Sequence, residues 1–367
     1  MTSIRSSLGT LQAEIKMRLE KKLPAPLWKS DELDSPIPPV IEPPYFDSSL
    51  DACVLSRYDD VLAALRFPSL VMDGKQIATA EDRRAMERMR EDTTRALSRI
   101  QLRAWSEKIT PLVTERLALL PEGDLVDLVK AYLQPVCLQL AIMVTEVDKK
   151  DAARLRDLAD PISAAAAEPS DDALREHARA VTPQLQACFH SRTETLRDSG
   201  FVALSHTLPC LLANGCYALL QHPKQWTALH SRPELIEQAV EELMRYAGLS
   251  RYLRRRATED IVLAGVSIRK GDRLILRIIA ANHDPERFAC PNDLELLRRD
   301  AGQLTLGAGP HACVGAGLLR MASAAILRPL LIRFTSATLN GKVEWHGGSG
   351  FRAPAGLPVV LTSSTLS

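Results

Sequence analysis

The chain has 367 residues, 25% of them charged, and its formal net charge is +1. A near-neutral balance leaves no electrostatic footprint for nucleic acid, so no nucleic-acid partner is predicted. Seven cysteines without regular spacing exclude a disulfide framework and favour a reducing, cytoplasmic setting.

The N-terminal segment predicts a helix followed by an irregular lead-in. Residues 1–23 carry apolar side chains at helical spacing, mixed with Lys and Arg, and lack the continuous apolar core of a signal peptide. Residues 24–44 are rich in proline, which favours an extended path. We therefore expect residues 1–44 to precede a single domain at residues 45–367.

The next part of the chain predicts a strand and two helices. Residues 51–56 are typical of a short strand, and an apolar pattern of period 3.6 begins at Tyr58. Apolar spacing is again helical over residues 89–119, where Arg95 and Arg99 are one turn apart and are expected to share a face.

A long apolar segment over residues 201–220 predicts a central helix. Its length would allow a membrane span, but it contains polar residues and a proline and lacks an aromatic or basic girdle. A core helix that is apolar on all sides is therefore preferred to a membrane span. Pro209 lacks an N–H group and its ring would clash with the carbonyl of Ser205, so the helix should kink here, two residues past Thr207.

After this helix the pattern changes to a second amphipathic helix and short strands. Glu242 and Arg245 lie on one helical face. Residues 255–260, 261–263 and 274–278 predict a small sheet. The fold class expected from these elements is mainly α with a small β portion.

The loop over residues 306–315, Leu-Gly-Ala-Gly-Pro-His-Ala-Cys-Val-Gly, carries the strongest chemical signal. Its glycines allow the backbone to lie flat against a large ligand. Cys313 stands at the predicted start of a helix, where free N–H groups and the helix dipole favour a thiolate, a ligand for a soft metal or for haem iron. A small buried hydrophobe is the alternative. Zinc fits less well, because His311 and Cys313 have the wrong spacing.

This loop closely resembles the haem-ligand loop of the cytochrome P450 family, whose pattern is Phe-Gly-x-Gly-x-His-x-Cys-x-Gly. Five of the six specified positions are met, and Leu306 stands where the family has Phe. Arg245 lies 68 residues before Cys313, and the family places an identical Glu-x-x-Arg pair at about that distance. The pair is completed in the family by a further arginine, here Arg298. The resemblance runs from about residue 51 to residue 361.

The resemblance implies a cytochrome P450 fold that binds haem b, with Cys313 as the iron ligand. It also implies that Arg255 and His311 are donors to the haem propionates, together with Arg95 or Arg99. The loop positions Leu306, Gly307 and Gly315 complete the predicted cofactor-binding set.

The same resemblance assigns the central helix to oxygen activation. Thr207 matches the family's threonine, whose hydroxyl orients bound dioxygen, whereas His206 stands where most members have an acid. His206 either relays protons in place of that acid or is a core histidine bonded to a backbone carbonyl. Both interpretations stay open from the sequence.

The implied activity is oxidation of a small organic substrate in specialised metabolism, with electrons from a separate ferredoxin or flavodoxin. A monomer without a membrane span is expected, and residues 147–204 indicate a lid shortened by some tens of residues. Two alternatives remain: an atypical member that uses peroxide or performs oxidative coupling, and a haem-binding protein without turnover.

Overall fold

The structure, a computed structural model, describes residues 41–48, 50–72, 80–169, 171–189, 198–299, 302–348 and 350–363. The predicted N-terminal helix at residues 1–23 lies outside these ranges. So does most of the proline-rich lead-in at residues 24–44.

Short strands are distributed along the described chain in the following order: β1 (Tyr45–Asp47), β2 (Ala52–Leu55), β3 (Leu70–Met72), β4 (Leu125–Asp127), β5 (Leu253–Ala257), β6 (Ile261–Leu263), β7 (Val266–Ile268), β8 (Arg273–Leu276), β9 (Ser336–Leu339), β10 (Trp345–Gly347), β11 (Arg352–Pro354) and β12 (Pro358–Thr362).

The α-helices have these bounds: α1 (Tyr58–Arg66), α2 (Ala80–Ala96), α3 (Arg99–Ala118), α4 (Gln134–Thr145), α5 (Ala152–Ala167), α6 (Asp172–Ala187), α7 (Asp198–Val202), α8 (Leu208–Gln221), α9 (Pro223–Ser231), α10 (Ile236–Tyr246), α11 (Ile278–Ala281) and α12 (Ala316–Arg333). A π-helical turn, Ala203–Thr207, joins α7 to α8, and we call the continuous segment of residues 198–221 the central helix. This inventory confirms the predicted fold class, mainly α with a small β portion.

The described chain divides into two compact units. The sheet unit takes its residues from Met1–Ala78, Arg251–Asn292 and Gly307–Ala312. The helical unit takes its residues from Thr79–Ser250, Asp293–Leu306 and Cys313–Ser367. The single domain expected at residues 45–367 stays a prediction.

The sheet unit is built on five strands in the order β1-β2-β8-β5-β3. Strands β2 and β8 are parallel, and the other neighbours are antiparallel. Helix α1 is held at its start because the Tyr58 backbone N–H donates to Asp284 Oδ2 over 2.7 Å. The Tyr58 ring also packs edge-on against Phe288.

The prediction of one small sheet near residues 255–278 is wrong in one respect. Strands β5 and β8 pair in the five-stranded sheet, whereas β6 pairs with β7 in a separate hairpin. The cause is local, because Ala264 and Gly265 both have positive φ (50° and 75°), as a two-residue hairpin turn requires.

The helical unit packs around the central helix and helix α4. The predicted core helix is confirmed, with bounds slightly wider than the 201–220 expected from the sequence. In the described part of the chain, the segment Ser199–Gln221 is apolar and long enough to cross a membrane, but 72% of its apolar window is buried within the protein. This burial is typical of a core helix.

Where the sequence predicts a kink, the structure has a π-helical turn just before Pro209. The Leu208 N–H bonds the Ala203 carbonyl, five residues earlier instead of four. Proline brings no N–H group and would clash with the preceding carbonyl in regular α geometry, so a wider turn relieves the conflict. His206 and Thr207 lie within this turn.

Arg95 and Arg99 do not share a helical face, contrary to the prediction. Helix α2 ends at Ala96, and α3 begins at Arg99. Ser98 separates them as an N-cap, because its hydroxyl accepts a hydrogen bond from the Gln101 backbone N–H over 3.3 Å.

Candidate functional site

The cysteine loop is closed by its own backbone. The Cys313 N–H donates to the Leu306 carbonyl over 2.7 Å. Between them Gly307 and Gly309 adopt positive φ angles of 72° and 68°, which residues with side chains rarely take. Helix α12 begins at Ala316, so Cys313 stands at its N-terminal end as the sequence predicts.

The thiol of Cys313 is half-buried and lies among groups that act on it in opposite directions. Burial raises its pKa above the ordinary value, while the Gly315 backbone N–H and the charges of Arg90 and Arg320 lower it. Burial dominates, so the pKa of the free thiol lies above its ordinary value, although the helix end lowers it as the sequence predicts. A bound metal ion would reverse the balance, since coordination deprotonates a thiol.

Arg90 is a residue that the sequence analysis missed. Its positive charge acts on the Cys313 thiol. Arg95, by contrast, is 78% exposed and pairs with Asp92 at 3.4 Å, and Arg99 is exposed at the start of α3. The cation of this region that acts on the cysteine is therefore Arg90.

A helical pattern could have identified Arg90. It lies three residues before Thr93, which is buried, and seven residues before Leu97, which packs against the core. Residues at these spacings share one face of a helix. An arginine on the inward face of a helix is a stronger candidate for a function than one on the solvent face.

In the sheet unit, Arg255 is a buried cation with unused hydrogen-bonding capacity. It is 4% exposed, and its Nε forms no hydrogen bond with the described residues. Burial lowers its pKa to about 10. A buried cation of this kind is stabilised by an anion, and a planar guanidinium suits a carboxylate. His311, the other predicted donor, lies half-buried in the short 3₁₀ turn Gly309–His311.

The predicted triad of Glu242, Arg245 and Arg298 is formed and buried. Arg245 binds Glu242 through two nitrogens at 2.7 and 2.8 Å, and Arg298 Nε reaches Glu242 Oε1 at 3.2 Å. The Glu295 backbone N–H donates to the same carboxylate at 3.0 Å. This cluster joins helix α10 to the segment that precedes the cysteine loop.

A cavity of about 410 Å³ lies beside the π-helical turn in the helical unit. His206 and Thr207 line it from the central helix, and Asp160 and Ser163 line it from α5. The size falls within the range of sites for small organic molecules. The Thr207 hydroxyl makes no hydrogen bond to the described residues, so it is available to a molecule in the cavity.

His206 bonds two side chains and not the backbone carbonyl that the core-histidine alternative expected. Its Nε2 lies 2.7 Å from Asp160 Oδ1, and its Nδ1 lies 2.7 Å from Ser205 Oγ. The histidine is thus part of a side-chain network at the cavity wall. Among the described residues no group of three or more His, Cys, Asp and Glu side chains could hold a metal ion.

Comparisons with known proteins agree with this arrangement. Residues 221–346 match the model of the family described as Cytochrome P450, a range that includes the triad and the cysteine loop. Cytochrome P450 CYP107DY1 from Priestia megaterium is 27% identical over 84% of this chain and 90% of its own length. Biotin biosynthesis cytochrome P450 from Bacillus subtilis is 38% identical, but over 44% of this chain and 41% of its own length.

Solved structures show the same fold. The structure of P450BioI in complex with an acyl carrier protein ligated to hexadec-9Z-enoic acid has a TM-score of 0.77, with 24% identity over 87% of this chain and 95% of that chain. The sequence match contains the cysteine loop and the fold match covers most of both chains. This protein therefore has the cytochrome P450 fold, and its sequence is similar to those of bacterial cytochrome P450s.

Proposed function

We propose that this cytochrome P450 uses Cys313 as the thiolate ligand of haem iron and the cavity beside Thr207 as its substrate site. The observation that carries the proposal is the position of Cys313 on a loop closed by its own backbone, at the head of α12, next to a backbone N–H donor and two cations. These groups stabilise a thiolate once iron offsets the cost of burial.

The residues present fit haem on two structural grounds. Arg255 offers a buried Nε without a protein partner, which suits a propionate carboxylate. The positive φ angles of Gly307 and Gly309 hold the loop in the turn that brings Cys313 to the head of α12, and the missing Cβ of Gly309 lets the loop pass close to the backbone of α1. His311 is the second proposed propionate donor, and Arg90 takes the place first assigned to Arg95 or Arg99. Leu306 and Gly315 flank the ligand.

Bound haem supplies the redox chemistry by which one oxygen atom of dioxygen enters a substrate. The chain's own residues bind and orient the substrate. The cavity, whose lining is mostly apolar, takes a small organic molecule, and the Thr207 hydroxyl offers a hydrogen bond inside it. His206 holds a proton at the wall of the same cavity. Electrons come from a separate ferredoxin or flavodoxin, and the protein acts as a cytoplasmic monomer in specialised metabolism.

Replacing Cys313 with Ser tests the ligand directly. The absorption spectrum of the reduced, carbon monoxide-bound wild-type protein should show the red-shifted band of a thiolate-ligated haem, and Cys313→Ser should lose that band. Cys188→Ser is the control, because Cys188 is also half-buried in the helical unit and its thiol bonds only the Gln184 carbonyl. Retention of the band in Cys313→Ser, or its loss in Cys188→Ser, would contradict the proposal.

Replacing Thr207 with Ala tests the role of its hydroxyl. We expect product formed per NADPH consumed to fall by roughly tenfold, with hydrogen peroxide released instead, because a positioned hydrogen-bonding group near a proton transfer contributes at least this much. Ser163→Ala removes a hydroxyl that α5 contributes to the same cavity and should leave this ratio unchanged. Equal ratios in the two variants would exclude a special role for Thr207.

A further inference from the structure

A carboxylate from another helix is bonded to His206. Asp160 lies on α5, 46 residues earlier in the chain, and its Oδ1 is 2.7 Å from His206 Nε2. The two side chains differ in access to solvent, since Asp160 is 63% exposed and His206 only 11%. Both also line the cavity. The pair therefore connects the protein surface to the interior of the cavity.

The hydrogen bonds around His206 can be satisfied in two protonation states. With a neutral ring, Nε2–H donates to Asp160 and the Ser205 hydroxyl donates to Nδ1. With a protonated ring, Nδ1–H donates to Ser205 Oγ, and the hydroxyl turns to donate to the Phe201 carbonyl, which lies at 2.6 Å. Neither state leaves a buried polar group without a partner, so the network gains or loses a proton by rotating one hydroxyl.

We propose that Asp160 is a positioning residue for proton supply, and that the Asp160–His206 pair takes protons from solvent and passes them into the cavity that Thr207 lines. The carboxylate that most relatives carry on the central helix is thus supplied here by α5. The inference rests on the proposed function of the cavity and adds a residue to it.

Each cycle of proton transfer through the pair returns it to its starting state. Solvent water next to the exposed carboxylate gives a proton to the pair, whose net charge changes from −1 to 0 as the neutral ring becomes imidazolium beside the carboxylate. The imidazolium gives a proton to a water or a bound molecule in the cavity, and the ring returns to its neutral form. No electrons move, and the hydroxide left in solvent is neutralised by buffer.

Burial and the charge of Arg156 favour the neutral ring of His206. Burial lowers the pKa of His206 below its ordinary value, the hydrogen bond and charge of Asp160 raise it, and the charge of Arg156 on α5 lowers it slightly. Glu168 and Arg352 also line the cavity, from the end of α5 and from β11. Among the groups that act on His206, Asp160 is the one that supports its protonated form.

Titration of His206 in the holoenzyme is the first test. Histidine labelled with ¹³C at Cε1 is followed by NMR in the reduced, carbon monoxide-bound protein, and His206→Gln assigns the signal. In Asp160→Asn the pKa of His206 should fall, because the carboxylate that supports the imidazolium is gone. Asp157→Asn, which removes an exposed carboxylate one turn earlier on α5, should leave the titration unchanged.

Turnover is the second test. At neutral pH, Asp160→Asn should lower product formed per NADPH consumed by roughly tenfold, less than the loss of an essential general acid because water still reaches the cavity. The ratio should recover as pH is lowered, and Asp160→Glu should restore it. A role limited to joining α5 to the central helix would not move the pH profile.

Three results would overturn the inference. One is an identical His206 titration in Asp160→Asn and Asp157→Asn. Another is a shifted titration with unchanged product per NADPH, which would make the pair structural only. A third is failure of Asp160→Glu to restore the ratio. If the thiolate band is also missing in the wild-type protein, the proposed function falls as well, whereas a normal band with any of these results removes only the role of Asp160.

Discussion

Replacing Glu242 with Gln should lower the free energy of unfolding by about 3–5 kcal/mol, since it removes a buried carboxylate that is bonded to both Arg245 and Arg298. Both guanidiniums are at most 4% exposed as side chains, so neither can recover its hydration. Denaturant titration of the purified holoenzyme, followed by circular dichroism, measures the change.

The control for this substitution lies on the same helix. Glu237 pairs with Arg328, but the two side chains are 65% and 38% exposed. Water screens such a pair, so Glu237→Gln should cost at most about 1 kcal/mol. A loss below about 1 kcal/mol for Glu242→Gln as well would show that the buried cluster does not hold helix α10 to the segment before the cysteine loop.

Replacing Gly309 with Ala should destabilise the protein by about 2–5 kcal/mol, the sum of about 1–2 for a left-handed backbone angle and about 1–3 for overpacking. A Cβ at this position would lie 2.7 Å from the Arg66 Cα and 2.8 Å from the Leu65 carbonyl. These are backbone atoms of α1 and cannot turn aside as a side chain can. Thermal unfolding and haem content measure the effect.

Gly265→Ala separates the two causes. Gly265 has a similar φ of +75°, but nothing lies within 4 Å of a Cβ built there. This variant should therefore lose only about 1–2 kcal/mol, from backbone strain alone. Equal losses at Gly265 and Gly309 would show that the close approach of the loop to α1 carries no energetic weight.

The central helix could be predicted from local sequence features. Its apolar length predicted a core helix, and its proline predicted a departure from α geometry next to Thr207. Both are confirmed, because backbone hydrogen bonding and side-chain hydrophobicity act over a few residues. The same reasoning failed at residues 89–119, where apolar spacing continued across Ser98 while its side-chain cap started a new helix.

The protonation of Cys313, by contrast, depends on the tertiary structure. The helix end and nearby cations do favour the thiolate, as the sequence predicts, yet burial outweighs them in the free cysteine. Burial depends on how other segments cover the thiol, and no local pattern encodes that cover. Under the proposed function, thiolate formation would therefore depend on the binding of iron.

The sequence by itself determined the cysteine loop, the Glu242–Arg245 pair and the central helix, because each depends on residue types at short or regular spacing, whereas Arg298 followed only from the resemblance to a family. Only the tertiary structure decided which cation acts on Cys313 and which carboxylate bonds His206. Arg90 and Asp160 lie 223 and 46 residues from their partners. Contacts at such separations arise from the packing of helices, and a linear pattern carries no record of which surface polar groups that packing brings together.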